Sequence, residues 1–158
     1  MKRKTSIRVV SGATKYDAIL DNKEVPDEKL DCTVRALANA TGMPYMEASK
    51  RLADAGRLQG KGCMPQVWHK AYTEAGLTCM GSFGDTKAAV YFKHWYPQYP
   101  KFAGITLERI LPVLEKMKGS YIVIERGHAF AIKDGIVLDS MYSRRGATSV
   151  AVLYKYDK

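Results

Sequence analysis

The spacing of apolar residues changes at Gly119, and this change restricts the chain to one class of fold. Before Gly119, apolar side chains recur every three or four residues, as on the buried face of a helix. After Gly119 they alternate with polar residues, as in a strand that buries one face. Helices followed by an antiparallel sheet predict an α+β protein.

Four helices are predicted before Gly119. The first begins at Asp31, whose carboxylate is expected to cap it, and ends at Gly42. The other three cover residues 45–56, 65–76 and 106–117, and Pro112 inside the last one marks a site for a bend or a break. The intervening stretch 77–104 is rich in aromatic residues and gives no clear pattern.

Strands are predicted at both ends of the chain. A short strand over residues 7–10 precedes a surface loop over 21–31, and four more strands cover 121–125, 128–133, 136–140 and 150–156. The Asp134-Gly135 pair predicts a two-residue hairpin loop in which Lys133 pairs with Ile136.

Size and charge limit the class of protein further. The 158 residues, 46% of them hydrophobic, suit one core, so residues 1–158 are predicted to form a single domain. The 25 basic and 16 acidic residues give a net charge of +9, which attracts polyanions. Three cysteines without C-x-x-C spacing, no signal-peptide pattern and no long apolar run predict a cytoplasmic protein without a membrane partner.

Cys32 lies where a helix start would lower the pKa of a thiol. Free backbone N–H groups and the positive end of the helix dipole stabilise a thiolate there, although the Asp31 carboxylate opposes this and calls for a further partner such as an imidazolium. The alternative is a small apolar residue on a buried helix face.

The predicted hairpin supplies such a partner. With Asp134 and Gly135 as the loop, Asp139 lies diagonal to His128 on the same face of the sheet, within reach of a hydrogen bond. A carboxylate that orients one ring nitrogen leaves the other to take a thiol proton. Each residue alone could instead be a packed or surface residue, but the three together predict a Cys32, His128 and Asp139 triad.

These residues carry a family resemblance. The Asp31-Cys32 helix start, the segment from Gly127-His128 to the tight turn, and the strand ending at Asp139 resemble papain-like cysteine peptidases, especially the small bacterial and phage members of the C39-like and NlpC/P60-like kinds. The resemblance implies a single papain-like domain in which Cys32 is the nucleophile, His128 the general base and acid, and Asp139 the orienting residue. It also implies a cysteine-bearing core helix packed on a C-terminal antiparallel sheet.

One position departs from that family. Papain-like peptidases place a glutamine before the cysteine as an oxyanion donor, whereas residues 15–31 contain none and position 26 is Pro26. The backbone N–H of Cys32 and the side chain of Asn22 are the candidate donors, and losing one donor typically costs about 10²–10³ in turnover. The expected function is a cysteine hydrolase that cleaves an amide or isopeptide bond in a peptide or protein. The alternative is a weak or inactive papain-like binding module, of phage origin, that grips a host protein or nucleic acid through its basic surface.

Other candidate sites are weaker. Cys63, His69, Cys79 and His94 have no zinc-like spacing and His69 is expected off the apolar helix face, so neither a metal nor another cofactor is predicted. The rings and lysines of residues 91–102 could stack nucleic-acid bases, but a loop that covers the sheet with buried rings is favoured. Arg144 and Arg145, with the basic residues 2–4, could extend a positive surface.

Overall fold

The computed structural model describes residues 8–9, 19, 30–139, 144–145 and 148–157. The described residues form five helices: α1 (Cys32–Thr41), α2 (Tyr45–Asp54), α3 (Pro65–Glu74), α4 (Lys87–Trp95) and α5 (Leu107–Met117). They also form eight strands: β1 (Arg8–Val9), β2 (Leu77–Phe83), β3 (Lys101–Phe102), β4 (Ser120–Glu125), β5 (His128–Lys133), β6 (Ile136–Leu138), β7 (Arg144–Arg145) and β8 (Val152–Tyr156). The predicted α+β class is confirmed. The predicted surface loop over 21–31 lies almost wholly outside the described residues.

Six strands form one mixed sheet in the order β3-β2-β8-β4-β5-β6, and β1 pairs separately with β7. The β2–β3 pair is parallel, and the other neighbours in the sheet are antiparallel. The expectation of a purely antiparallel sheet that follows all the helices is therefore wrong. A register shift between Cys79 and Gly81 interrupts the alternation of β2, which explains why the sequence pattern did not reveal this strand.

Helices cover both faces of the sheet. The buried side chains of α1, α2, α3 and α4 form one apolar cluster with one face of the strands. The buried side chains of α5 form a second cluster with the other face. Alternation along β5 explains the division, because Ala129 and Ala131 belong to the first cluster while Phe130 and Ile132 belong to the second. The small side chains of Ala129 and Ala131 let α1 pack closely on β5.

The β5–β6 hairpin has the predicted two-residue loop. Lys133 pairs with Ile136, and Ile132 pairs with Val137. Asp134 and Gly135 both have positive φ values, 49° and 82°, as a type I′ turn requires. A Cβ atom at Gly135 would lie 2.4 Å from the Cβ of Glu115, so glycine also allows α5 to approach this turn.

The residues that precede α1 and α5, and the proline inside α5, can be compared with the predicted helices. Asp31 precedes α1 but its side chain makes no capping hydrogen bond, so the expected cap is wrong. Thr106, the residue before α5, makes no capping hydrogen bond through its side chain. The α5 helix continues through Pro112, whose ring is exposed to solvent.

The aromatic stretch 91–102 forms the end of α4, a turn and the strand β3 rather than a loop that covers the sheet. Thr86 caps α4 by accepting a hydrogen bond from the backbone N–H of Ala89. Phe92 is buried, whereas Trp95 and Phe102 are 51% and 49% exposed. The expectation that all of these rings are buried is therefore wrong.

Candidate active site

Cys32 is the first residue of α1, as predicted. The helix is positioned by Val34 and Leu37, which are fully buried against the sheet and the neighbouring helices. The Asp31 carboxylate accepts hydrogen bonds from Arg35 Nε at 3.0 Å and from Tyr45 Oη at 2.8 Å. Its negative charge is thereby compensated by Arg35, which removes the opposition to a thiolate that the sequence suggested.

The imidazole of His128 is held by Asp139. His128 Nε2 lies 2.7 Å from Asp139 Oδ2, and the carboxylate is buried. His128 begins β5, and Asp139 directly follows β6 across the Asp134-Gly135 turn. The ring also stacks on Phe130, with the two centroids 5.6 Å apart. These two contacts fix the orientation of the imidazole.

The His128 ring and the Cys32 thiol line the same cleft, and their interaction lowers the pKa of the thiol and raises the pKa of the ring. Because Asp139 occupies Nε2, Nδ1 is the ring nitrogen that remains for the sulfur. The structure thus brings the three predicted residues into one connected group, and their catalytic role stays a prediction.

The two groups shift each other's pKa toward an ion pair. Burial raises the pKa of Cys32, but the hydrogen bond and charge of His128, helped by the Ala129 backbone N–H and by Arg35, outweigh it and lower the pKa below its usual value. Burial lowers the pKa of His128, yet Asp139 and Cys32 raise it to about 9. A thiolate next to an imidazolium is the reactive form of a cysteine nucleophile.

Arg35, which was not among the residues predicted from the sequence, extends the group into the core. Its Nη1 lies 3.8 Å from Asp139 Oδ1, while its Nε contacts Asp31. Acidic and basic side chains therefore alternate from Asp31 through Arg35 and Asp139 to His128. The spacing of four residues between Asp31 and Arg35 on one helix was the available signal, since such pairs face each other.

Cys32 and His128 open into a cleft of about 410 Å³. Apolar and aromatic side chains form much of its wall, and two basic residues, Lys87 and Arg126, also line it. Cys63 also lines it, and its sulfur lies 3.3 Å from Thr33 Oγ1. Such a concave, partly apolar site next to a perturbed thiol is where a substrate would bind.

The other cysteine and histidine candidates have different environments. Cys79 is buried in the sheet, and burial raises the pKa of its thiol to about 11. His69 is buried between Tyr154 Oη at 2.6 Å and Tyr99 Oη at 3.1 Å, so its expected position off the apolar face is wrong. Burial lowers the pKa of His69, which indicates a neutral, structural histidine. Within residues 30–139 and the other described ranges, no three His, Cys, Asp or Glu side chains group as metal ligands.

Several predicted features lie outside the described residues. These are the side chains of Asn22 and Pro26, the basic residues 2–4, and the side chains of Arg144 and Arg145. The backbone N–H of Cys32 is therefore the one oxyanion candidate from the sequence analysis that the described residues contain.

No helix in the described part of the chain combines the length and apolarity needed to cross a bilayer. Comparisons of the chain with protein-family models, with curated proteins and with solved structures found no match.

Proposed function

We propose that this protein is a papain-like cysteine hydrolase that cleaves an amide or isopeptide bond in a peptide or protein. The proposal is supported above all by the group of Cys32, His128 and Asp139. The thiol of Cys32 and the imidazole of His128 shift each other's pKa, and the carboxylate of Asp139 holds the imidazole through Nε2. The start of a helix packed on antiparallel strands is also where papain-like enzymes have their nucleophile.

The reaction begins with the thiolate of Cys32. Its sulfur attacks the carbonyl carbon, a C–S bond forms, and the π electrons of the carbonyl move to its oxygen. Collapse of this intermediate breaks the C–N bond, and the leaving amine takes the proton of the His128 imidazolium. A water molecule then gives its proton to His128 and attacks the thioester, which releases a carboxylic acid and restores the thiolate.

The first-turn position of Cys32 supports charge stabilisation during this reaction. Backbone N–H groups at a helix start point toward the negative charge that develops on the substrate oxygen. The Cys32 N–H takes this role in the proposal.

The second candidate is a binding module that keeps the papain-like fold without turnover. The missing glutamine favours it, since one absent oxyanion donor lowers turnover by about 10²–10³. The lowered pKa of Cys32 favours the enzyme, because a binding surface does not need a thiolate.

A cleavage assay with a proteome-derived peptide library tests the proposal. The wild type should generate new peptide termini, and Cys32→Ala and His128→Ala should lose at least about 10³-fold of the rate. His94→Ala is the matched control, because His94 is exposed and lies outside the cleft. Mass spectrometry of the acid-quenched reaction should show a thioester on Cys32. If the wild type cuts no faster than Cys32→Ala, the hydrolase assignment is wrong and the binding module is favoured.

A further inference from the structure

A second groove shares part of its lining with the cleft that contains Cys32 and His128. This groove has a volume of about 530 Å³ and is lined by Thr86, Lys87, Glu125, Arg126, Thr148 and Ser149. Three of these residues, Lys87, Glu125 and Arg126, also line the cleft that contains Cys32 and His128. The two cavities are therefore adjacent, and a substrate held at the thiol lies next to the groove.

Two basic side chains from different structural elements line the groove. Lys87 is the first residue of α4, and Arg126 lies in the turn between β4 and β5. Both side chains are exposed, and neither forms an ion pair with any carboxylate of the described ranges. They contrast with Lys93, which α4 also carries and which is held by Asp85 at 2.8 Å.

The acidic residue of the groove is already engaged. Glu125 is buried, and its Oε2 accepts a hydrogen bond from Thr148 Oγ1 at 2.9 Å. Among the described residues, the lining of the groove thus contains two basic side chains and one buried acidic side chain. The start of α4 adds backbone N–H groups and the positive end of its dipole beside Lys87. Together these groups favour an anionic ligand such as a carboxylate.

We propose that this groove binds a carboxylate of the substrate, so that the enzyme prefers peptides with an acidic group near the bond it cleaves. Lys87 and Arg126 are the residues that contact the carboxylate, and the N-terminus of α4 contributes to the same positive field. This inference rests on the proposed function because it calls the bound peptide a substrate. The binding of an acidic peptide can nevertheless be measured without turnover.

Peptide sets that carry Glu, Gln or Lys at each position around the cleaved bond test the inference. One position should favour Glu over Gln by about tenfold in KM, the value of one charge-assisted hydrogen bond. Lys87→Gln and Arg126→Gln should each remove much of this preference for Glu over Gln. Lys116→Gln and Arg109→Gln are the matched controls, because these residues are exposed on α5 and away from both grooves. Equal use of Glu and Gln peptides by the wild type would overturn the inference.

Binding to Cys32→Ala separates this inference from the proposed function. The same Glu and Gln peptides are titrated into Cys32→Ala and into Cys32→Ala combined with Lys87→Gln, by calorimetry. Tighter binding of Glu peptides that depends on Lys87 supports the groove even if the wild type cleaves nothing. Cleavage without a preference for Glu supports the hydrolase and overturns the groove. Peptides with free and amidated C-termini distinguish a terminal carboxylate from an acidic side chain.

Discussion

Arg35 Nη1 lies 3.8 Å from Asp139 Oδ1, so the helix that carries the Cys32 thiol also carries the cation that faces the carboxylate of the hairpin. Both side chains are largely buried, and Arg35 contacts Asp31 as well. Because Asp139 in turn holds His128, the position of the imidazole depends on contacts from α1 and from the hairpin together.

Replacing Asp139 with Asn should impair the proposed reaction although the asparagine side chain keeps the size and hydrogen-bonding geometry of aspartate. The carboxylate raises the pKa of His128, so Asp139→Asn should lower that pKa from about 9, as measured by NMR titration of the ring. The proposed peptide cleavage should fall by about 10⁴, the typical effect of losing the orienting acid of a triad. An unchanged His128 titration in a folded variant would contradict the role given to Asp139.

Replacing Arg35 with Gln should raise the pKa of Cys32. Arg35 lowers this pKa directly by its charge, and it also faces the Asp139 carboxylate that orients His128. We expect the acidic limb of the alkylation profile of Cys32 to move to higher pH. Arg35→Lys should bring the pKa of Cys32 part of the way back down. Lysine keeps the positive charge but loses the planar guanidinium that contacts both Asp31 and Asp139. Arg109→Gln is the control for an exposed arginine, and a profile that Arg35→Gln leaves unmoved would rule out this role.

Iodoacetamide should discriminate between Cys32 and Cys79 over a wide pH range. A thiol with the usual pKa of 9.0 is only about 0.1% ionised at pH 6. The pKa of Cys32 is lowered, so its rate at pH 6 should exceed that of a model thiol, whereas Cys79, with a pKa of about 11, should stay unmodified. Peptide mapping after alkylation reports both sites in one sample.

The direction in which His128 shifts the pKa of Cys32 can also be tested. Its imidazolium stabilises the thiolate, and this stabilisation is lost as the pH rises through about 9. His128→Ala should therefore slow alkylation of Cys32 most at acidic and neutral pH, while His94→Ala should not. Equal slowing by the two variants would mean that the imidazole of His128 does not activate the thiol.

Gly135→Ala should destabilise the protein more than Gly127→Ala. Both glycines have positive φ, 82° and 68°, so each substitution introduces backbone strain of about 1 kcal/mol. A Cβ at Gly135 would additionally collide with α5 at 2.8 Å from the Glu115 Cα, while no atom lies within 4 Å of a Cβ at Gly127. Urea unfolding should show an extra loss of about 1–3 kcal/mol for Gly135→Ala. Equal losses would show that α5 yields without cost.

The sequence determined the parts of the site that depend on local rules. The helical spacing after Asp31 predicted that Cys32 begins a helix, and the Asp134-Gly135 turn fixed the register that brings Asp139 to His128. Turn conformation and side-chain periodicity depend on a few neighbouring residues, which is why one sequence suffices to predict them.

Tertiary structure decided the rest, because it joins segments whose local patterns carry no information about each other. Packing of α1 on β5 brings Arg35 to Asp139, and the tertiary fold places Lys87 of α4 and Arg126 of the β4–β5 turn in the lining of one cleft. The same packing buries His69 between two tyrosines that follow it far along the chain. Contacts of this kind depend on how whole elements fill the core, and no spacing within one element encodes them.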